Sequence, residues 1–136
     1  MSKIVLVLDD EPWQVSWIGP IAKSFGWEVH YAEKYDQAEI LFEQLKPDVV
    51  VVDVRIGNDA PPVKGASLEG VDHSWVGLRF VRHIRVEKRS KIRIFVYSGI
   101  DRDDLRITVE DAFRAKFCSK FDSAYLEKLL EDEFNS

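Results

Sequence analysis

Cysteine is almost absent from this sequence, since Cys118 is the only one among 136 residues. A lone cysteine cannot form a disulfide within the chain, a pattern typical of proteins in a reducing compartment. The sequence also lacks an apolar run long enough to cross a bilayer. Its N-terminal apolar run is short and ends in acids, unlike a signal peptide. We therefore expect a cytoplasmic protein that does not enter a membrane.

An excess of positive charge is lacking too. The formal net charge is −5, which gives no bulk electrostatic reason to expect nucleic-acid binding. Hydrophobic residues make up 46% and charged residues 32% of the chain, a composition typical of a globular protein rather than a disordered one. A length of 136 residues fits a single domain that can bury a core.

Apolar runs rich in β-branched residues alternate with segments whose apolar residues recur at helical spacing. The runs predict five strands, at residues 4–8, 27–32, 48–54, 92–98 and 115–119. The segments between them predict helices at about 12–25, 35–45, 75–86 and 102–114, and a last helix after Asp122 or Ser123. We expect the first helix to end at Gly26 and to bend at Pro20, because proline removes a hydrogen bond inside a helix.

The run VVVVD has no polar face, as expected for a strand that helices cover on both sides. Strands and helices that alternate in this way predict an α/β fold with a doubly wound parallel sheet. Ligands of such sheets bind beyond the carboxyl ends of the strands. The candidate site residues are therefore the polar ones at those ends, which are Asp9, Asp10, Asp53, Ser98 and Lys120.

Three carboxylates at one edge of a sheet repel one another. Two unit charges ~4 Å apart repel by roughly 4 kcal/mol at an effective dielectric constant near 20, so we expect a bound cation or a retained proton. A small set of hard oxygen ligands suits Mg²⁺, which keeps several waters and completes its shell with a phosphate oxygen. The hydroxyl of Ser98 and the ammonium of Lys120 are suited to contact the oxygens of a phosphoryl group.

In this order and at these strand ends, the candidate residues resemble those of a response-regulator receiver domain of bacterial two-component signalling. The resemblance covers nearly the whole chain and includes the small Gly99 after Ser98. It implies a flavodoxin-like sheet with strand order 2-1-3-4-5 and a single receiver domain over residues 1–136. It also implies that Asp53 accepts a phosphoryl group on its side chain.

The resemblance also implies a role for each other site residue. Asp10 would bind Mg²⁺ directly and Asp9 largely through water, with the backbone carbonyl of Arg55 as a further ligand. Lys120 would pair with Asp53 or its phosphate, and Ser98 would hydrogen-bond the phosphoryl oxygens. Phe117, three residues before Lys120, occupies the place of the family's aromatic switch residue, whose ring is expected to turn inward when Ser98 moves toward the phosphate.

The implied partners are a histidine kinase or histidine phosphotransfer protein and a downstream protein target. The target would read a change in the surface of helix four, strand five and helix five. Sixteen residues follow Lys120, enough for one helix, so we expect a stand-alone receiver unless a fused output domain lies outside this sequence. Such a protein would be a signalling phosphoacceptor rather than an enzyme, catalysing at most its own phosphorylation and dephosphorylation. It would be a monomer or a weak phosphorylation-dependent dimer.

The sequence departs from the family's pattern in three places, one of which is the absence from FRAKF of the glycine often found before strand five. Phe121 follows Lys120 where the family usually has a proline. Residues 55–74 form an apparent insertion beside Asp53, because the glycine that usually opens helix three corresponds to Gly77. Connections of this length are uncommon in compact domains, and this one could act as a lid, a partner surface or a passive loop.

Two other functions stay open. A pseudo-receiver is a binding module of the same fold that is regulated without phosphorylation. A metal-dependent phosphatase of Rossmann-like fold is less favoured, because such enzymes have a second acid two residues after the nucleophile, where this chain has Arg55.

Overall fold

The computed structural model describes residues 2–55 and 75–136. Its strands are β1 (Ile4–Leu8), β2 (Glu28–Ala32), β3 (Val49–Val52), β4 (Arg93–Ser98) and β5 (Lys116–Ser119). Its α-helices are α1 (Ile18–Ser24), α2 (Tyr35–Leu45), α3 (Val76–Arg82), α4 (Asp103–Ile107) and α5 (Ser123–Phe134). The predicted alternation of strands and helices is confirmed, whereas residues 56–74 of the predicted insertion lie outside the described residues.

The five strands form one sheet in the order β2-β1-β3-β4-β5, and every pair of neighbours is parallel. The predicted doubly wound, flavodoxin-like sheet is therefore confirmed. All four residues of β3, the central strand, are buried, which explains why this strand has no polar face.

The two faces of the sheet carry separate cores. Alternate residues of β1 divide between them, with Val5 and Val7 on one face and Leu6 and Leu8 on the other. Helices α1 and α5 cover the first face, and α2, α3 and α4 cover the second. Together the helices cover both faces of the sheet, so the polar residues that end the strands are left to meet at its carboxyl edge.

The prediction of one bent helix over residues 12–25 is wrong. Pro12–Gln14 form a 3₁₀ turn, and α1 begins only at Ile18. Pro20 is the third residue of α1, where a backbone N–H has no acceptor within the helix, so the proline costs no helical hydrogen bond and need not bend the helix. The predicted stop is confirmed, because Gly26 has a φ of 81° and its N–H donates to the carbonyl of Lys23.

Helices α3 and α4 each continue into a π-helical segment, His83–Glu87 and Thr108–Ala112 respectively. With these segments, both helices end close to the predicted positions. The Arg85 side chain connects them, since its Nε donates to the carbonyl of Phe113 at 2.7 Å. No helix in residues 2–55 and 75–136 is long and apolar enough to cross a bilayer.

Gly77 sets the distance between the start of α3 and the end of β3. Its N–H donates to the carbonyl of Val54 at 2.9 Å. A Cβ at this position would lie 1.6 Å from the carbonyl oxygen of Asp53. Only glycine therefore permits this close approach of the helix to the backbone that carries the Asp53 side chain.

We expect Gly77→Ala to lower the free energy of unfolding by at least about 1–3 kcal/mol, because the backbone of Asp53 or of α3 must shift. Urea denaturation measures this loss. Gly99→Ala is the matched control, because no described atom lies within 4 Å of its Cβ position and its φ is outside the left-handed region. Equal stabilities of the two variants would contradict the close approach.

Candidate functional site

The carboxyl ends of β1 and β3 bring two acids side by side. The strands pair Leu8 with Val52, so the next residue of each strand, Asp9 and Asp53, lies directly beyond the paired ends. The backbone N–H of Asp53 donates to the carbonyl of Leu8 at 2.8 Å, which extends the ladder by one step. Asp9 is 3% exposed and Asp53 is 6% exposed, a degree of burial that is rare for carboxylates.

Asp10 completes an acidic cluster, by which we mean Asp9, Asp10 and Asp53. One carboxylate oxygen from each of the three lies within 4.8 Å of the other two. Asp10 is exposed, in contrast to its two buried partners. The three predicted acids therefore meet at one place, in an arrangement that could hold a metal ion.

The Lys120 ammonium lies between the two buried acids. Its Nζ donates to Asp9 Oδ2 at 2.9 Å and to Asp53 Oδ2 at 3.2 Å. The backbone of Lys120 is held as well, because its N–H donates to the carbonyl of Ser98 at 2.8 Å. The lysine is thus brought to the acids by the pairing of β5 with β4, without the proline that usually follows it.

The two oxygens of Asp53 have different surroundings. Oδ2 accepts the Lys120 contact, whereas none of the described residues donates a hydrogen bond to Oδ1. Both oxygens of Asp9 are engaged, since Oδ1 accepts the Glu11 N–H at 2.8 Å and Oδ2 accepts Lys120. Asp53 is therefore the buried acid that keeps an oxygen for a ligand.

Burial is the largest influence on the pKa values of Asp53 and Asp9. It raises the pKa of Asp53 to about 7, an increase to which the charge of Asp9 adds and which Lys120 opposes. Burial also raises the pKa of Asp9, against the hydrogen bond from Lys120. For Lys120, burial lowers the pKa, but the hydrogen bond to Asp9 and the charge of Asp53 outweigh it and raise the pKa overall. One lysine does not fully compensate three acids, so the site retains an attraction for a cation.

Ser98 ends β4 beside this site and is 1% exposed. Its hydroxyl oxygen accepts the N–H of Ile100 at 2.9 Å. The hydroxyl therefore stabilises the turn after β4 in this structure, and an incoming group would compete for the hydroxyl oxygen's position.

This chain is similar to known proteins in its fold. No protein-family model matches the sequence, and no curated protein matches it significantly. Solved structures do match. A response regulator from Thermotoga maritima is 23% identical, with a TM-score of 0.72 and full coverage of both chains. The chemotaxis protein CheY4 of Vibrio cholerae is 19% identical, with a TM-score of 0.71 and coverage of 97% of this chain and 98% of that one.

This chain has the receiver-domain fold. Identities this low show the fold rather than the activity. The strand order 2-1-3-4-5 agrees with the receiver-domain fold. A third similar structure is a response regulator from Burkholderia pseudomallei with a phosphorylated aspartic acid, a calcium ion and citrate. It is 22% identical, with a TM-score of 0.65, and the match covers 88% of this chain and 60% of that one.

Within the receiver fold, Phe117 lies on β5 with its ring in the core. It is 2% exposed, and the Arg106 guanidinium lies over the ring at 4.5 Å from its centroid. Arg106 in turn contacts Asp101 Oδ1 at 2.9 Å. The ring is therefore already inward in this structure, so the inward turn that the resemblance implies would need an outward arrangement to start from.

Three more residues can be placed relative to the site, and one of them was not foreseen from the sequence. Phe121 is 86% exposed, so the residue that replaces the usual proline does not pack against the site. Gln14 was not predicted, yet its Oε1 accepts a hydrogen bond from Lys120 Nζ at 2.5 Å. The local signal for Gln14 is Pro12, which begins the 3₁₀ turn that carries it. Arg55 is exposed at the edge of the described residues.

We expect Asp53→Asn to unfold less readily than the wild type at pH 8 in the absence of divalent cations. Between its ordinary pKa of 3.8 and about 7, folded Asp53 keeps a proton that the unfolded chain has lost. The wild type therefore loses stability as the pH rises through this window, and the variant lacks that loss. The free energy of unfolding of Asp53→Asn should exceed that of the wild type by about a few kcal/mol at pH 8, and by close to zero near pH 4.

Urea denaturation at pH 4, 6 and 8 with a chelator measures this difference. Asp132→Asn is the control, because Asp132 is exposed on α5. A stability difference between Asp53→Asn and the wild type that stays constant over this range would contradict a raised pKa at Asp53.

Proposed function

We propose that this chain is a response-regulator receiver that accepts a phosphoryl group on Asp53 and signals through a change of its surface. The observation that carries the proposal is the buried Asp53 carboxylate, which has Oδ2 on Lys120 and no described hydrogen-bond donor to Oδ1. A nucleophilic carboxylate needs one oxygen left available and a cation nearby for the phosphoryl charge. Residues 1–136 would form a single receiver domain with the insertion at about 55–74.

Asp9, Asp10, Asp53 and the backbone carbonyl of Arg55 would hold Mg²⁺ at this site. The three acids supply hard oxygen ligands at one place, which suits Mg²⁺ completed by water and phosphate oxygens. Asp10 is exposed and would bind directly, whereas both oxygens of Asp9 already accept hydrogen bonds, which favours contact through water. When bound, the metal would neutralise developing phosphoryl charge and lower the pKa of Asp53, so that the carboxylate is ionised at neutral pH.

In the transfer, an Asp53 carboxylate oxygen attacks the phosphorus of a phosphohistidine in a histidine kinase or phosphotransfer protein. A phosphorus–oxygen bond forms and the phosphorus–nitrogen bond breaks, with its electron pair going to the imidazole of the donor. The product on this chain is an acyl phosphate, which water later hydrolyses to regenerate Asp53. Lys120 Nζ lies 3.2 Å from Asp53 Oδ2. It would therefore be close enough to exchange this contact for one with an oxygen of the phosphoryl group on Asp53.

Ser98 would transmit the change from the phosphate to the surface. To contact a phosphoryl oxygen, its hydroxyl would turn away from the Ile100 N–H, which it now accepts at 2.9 Å. This would loosen the turn that leads to Asp101 and so to Arg106, which covers the ring of Phe117. A groove along α4, β5 and α5 includes Arg106, Phe117 and Tyr125. A downstream protein would bind this surface. Its affinity would change because the added charge of the phosphoryl group alters the packing of the groove.

A pseudo-receiver is the second candidate, and one observation favours it. The Lys120 ammonium already has an acceptor for each of its three N–H groups, in Asp9, Asp53 and Gln14. The site is therefore internally satisfied around its lysine in the absence of phosphate. Such a module would bind its partner without Asp53 chemistry.

We expect the wild type to gain one phosphoryl group on incubation with acetyl phosphate and Mg²⁺, as measured by intact mass. Asp53→Asn should gain none, because its neutral amide is not a nucleophile that can replace the carboxylate in the attack on phosphorus. Asp132→Asn is the matched control and should behave as the wild type. Absence of the added mass in the wild type, together with absence of Mg²⁺ binding, would contradict the receiver proposal and favour the pseudo-receiver.

Mg²⁺ should stabilise the folded protein, because only the folded chain brings the acidic cluster together. At a Mg²⁺ concentration a hundred times its Kd, the free energy of unfolding should rise by about 2.7 kcal/mol. Asp10→Asn should lose most of this response with little change in the metal-free stability, because Asp10 is exposed. Thermal melts with Mg²⁺ and with a chelator measure it. An Asp10→Asn response equal to that of Asp132→Asn would exclude Asp10 as a ligand.

A further inference from the structure

Lys120 is held by three acceptors, of which Gln14 is the only neutral one. The Nζ distances are 2.9 Å to Asp9, 3.2 Å to Asp53 and 2.5 Å to Gln14 Oε1. An ammonium has three N–H donors and no acceptor, so these three contacts use its full capacity. Removing one of them would leave an N–H of a half-buried cation to find another partner, which makes the orientation of Lys120 depend on Gln14.

Gln14 is itself fixed in place by local contacts. Its backbone N–H donates to the carbonyl of Glu11 at 2.9 Å, which closes the 3₁₀ turn. Its carbonyl accepts the indole N–H of Trp17 at 3.0 Å. Its side-chain Nε2 lies 3.4 Å from a carboxylate oxygen of Glu11, so the amide nitrogen faces Glu11 while the amide oxygen faces Lys120. These contacts hold Gln14 at the end of the 3₁₀ turn with its side-chain oxygen toward Lys120.

The loop after Lys120 gives the lysine little other support. Phe121 is 86% exposed, and its N–H donates to the side chain of Ser119 at 3.1 Å. Neither feature of this loop restrains the Lys120 side chain.

The neutral charge of Gln14 also suits its position. An acceptor with a negative charge there would add a fourth anion to the acidic cluster and increase its repulsion. A neutral amide holds the ammonium without that cost.

We propose that Gln14 is a positioning residue for Lys120, holding the ammonium between Asp9 and Asp53 through its side-chain oxygen. This inference rests on the proposed function for its consequence in phosphoryl transfer, but not for the contact itself. As Asp53 becomes esterified, Lys120 exchanges its Asp53 contact for a phosphoryl oxygen, while its contacts with Asp9 and Gln14 remain. Gln14 would therefore orient the lysine before and after the transfer without touching the phosphoryl group.

The contact can be tested in the unphosphorylated protein by NMR of lysine ammonium groups. An ammonium with three internal acceptors exchanges its hydrogens slowly, so the wild type should show a protected lysine signal that Lys120→Met removes. Gln14→Met keeps the length of the side chain but lacks the acceptor oxygen, and should speed the exchange about tenfold. Gln14→Glu retains an acceptor oxygen and should keep the signal. Gln44→Met, at an exposed position of α2, is the matched control.

The consequence for transfer is tested by the initial rate of phosphorylation with acetyl phosphate and saturating Mg²⁺. Gln14→Met should be slower than Gln44→Met by about tenfold at equal thermal stability, the size expected for loss of one hydrogen bond to a charged group. The inference is overturned if wild-type Lys120 shows no protected signal, or if Gln14→Met matches the wild type in exchange and rate. A wild type that shows the protected signal but gains no phosphate would refute the proposed function and leave the positioning contact standing.

Discussion

The ammonium of Lys120 between Asp9 and Asp53 is the interaction on which the rest of this site depends. Two carboxylates with exposures of 3% and 6% would be strongly disfavoured side by side without a cation. The lysine compensates part of this cost through contacts of 2.9 and 3.2 Å. The remaining imbalance is visible in the pKa of Asp53, which stays raised to about 7 because burial and the charge of Asp9 exceed the effect of Lys120. A site left with this imbalance is suited to a metal ion and to an anionic group that the metal and lysine share.

The fold provides this arrangement through strand register and through one close packing contact. Parallel pairing aligns the ends of β1 and β3, so that Asp9 and Asp53 extend from neighbouring strands at the same level. Pairing of β5 with β4 places the backbone N–H of Lys120 against the carbonyl of Ser98 at the end of β4. At Gly77, α3 approaches the backbone of Asp53 more closely than any side chain would allow. The site is therefore built mainly on rigid strand ends, which suits a group that must be oriented precisely.

Much of this could be predicted from the sequence, for a clear physical reason. Strands buried on both faces consist almost entirely of apolar residues, so a polar residue at the end of such a run marks the carboxyl edge of the sheet. That rule was sufficient to place Asp9, Asp53 and Ser98 at one edge, and the structure brings them together with Lys120. The first helix was predicted less well, because its apolar spacing continues through residues 12–25 while the backbone does not. Both prolines in this stretch are compatible with a helix start, and local spacing does not show which of them begins the helix.

The sequence by itself determined the order of strands and helices and the chemical character of each strand end, because both follow from local patterns of apolar and polar residues. Tertiary structure alone decided which side chains share the ammonium of Lys120. Gln14 and Lys120 are 106 residues apart in the chain, and their contact depends on where the 3₁₀ turn ends and how β5 aligns with β4. The inward position of Phe117 under Arg106 was likewise decided by packing between α4 and β5. Contacts of this kind depend on distances of a few tenths of an ångström between separate elements, which no local pattern of residues specifies.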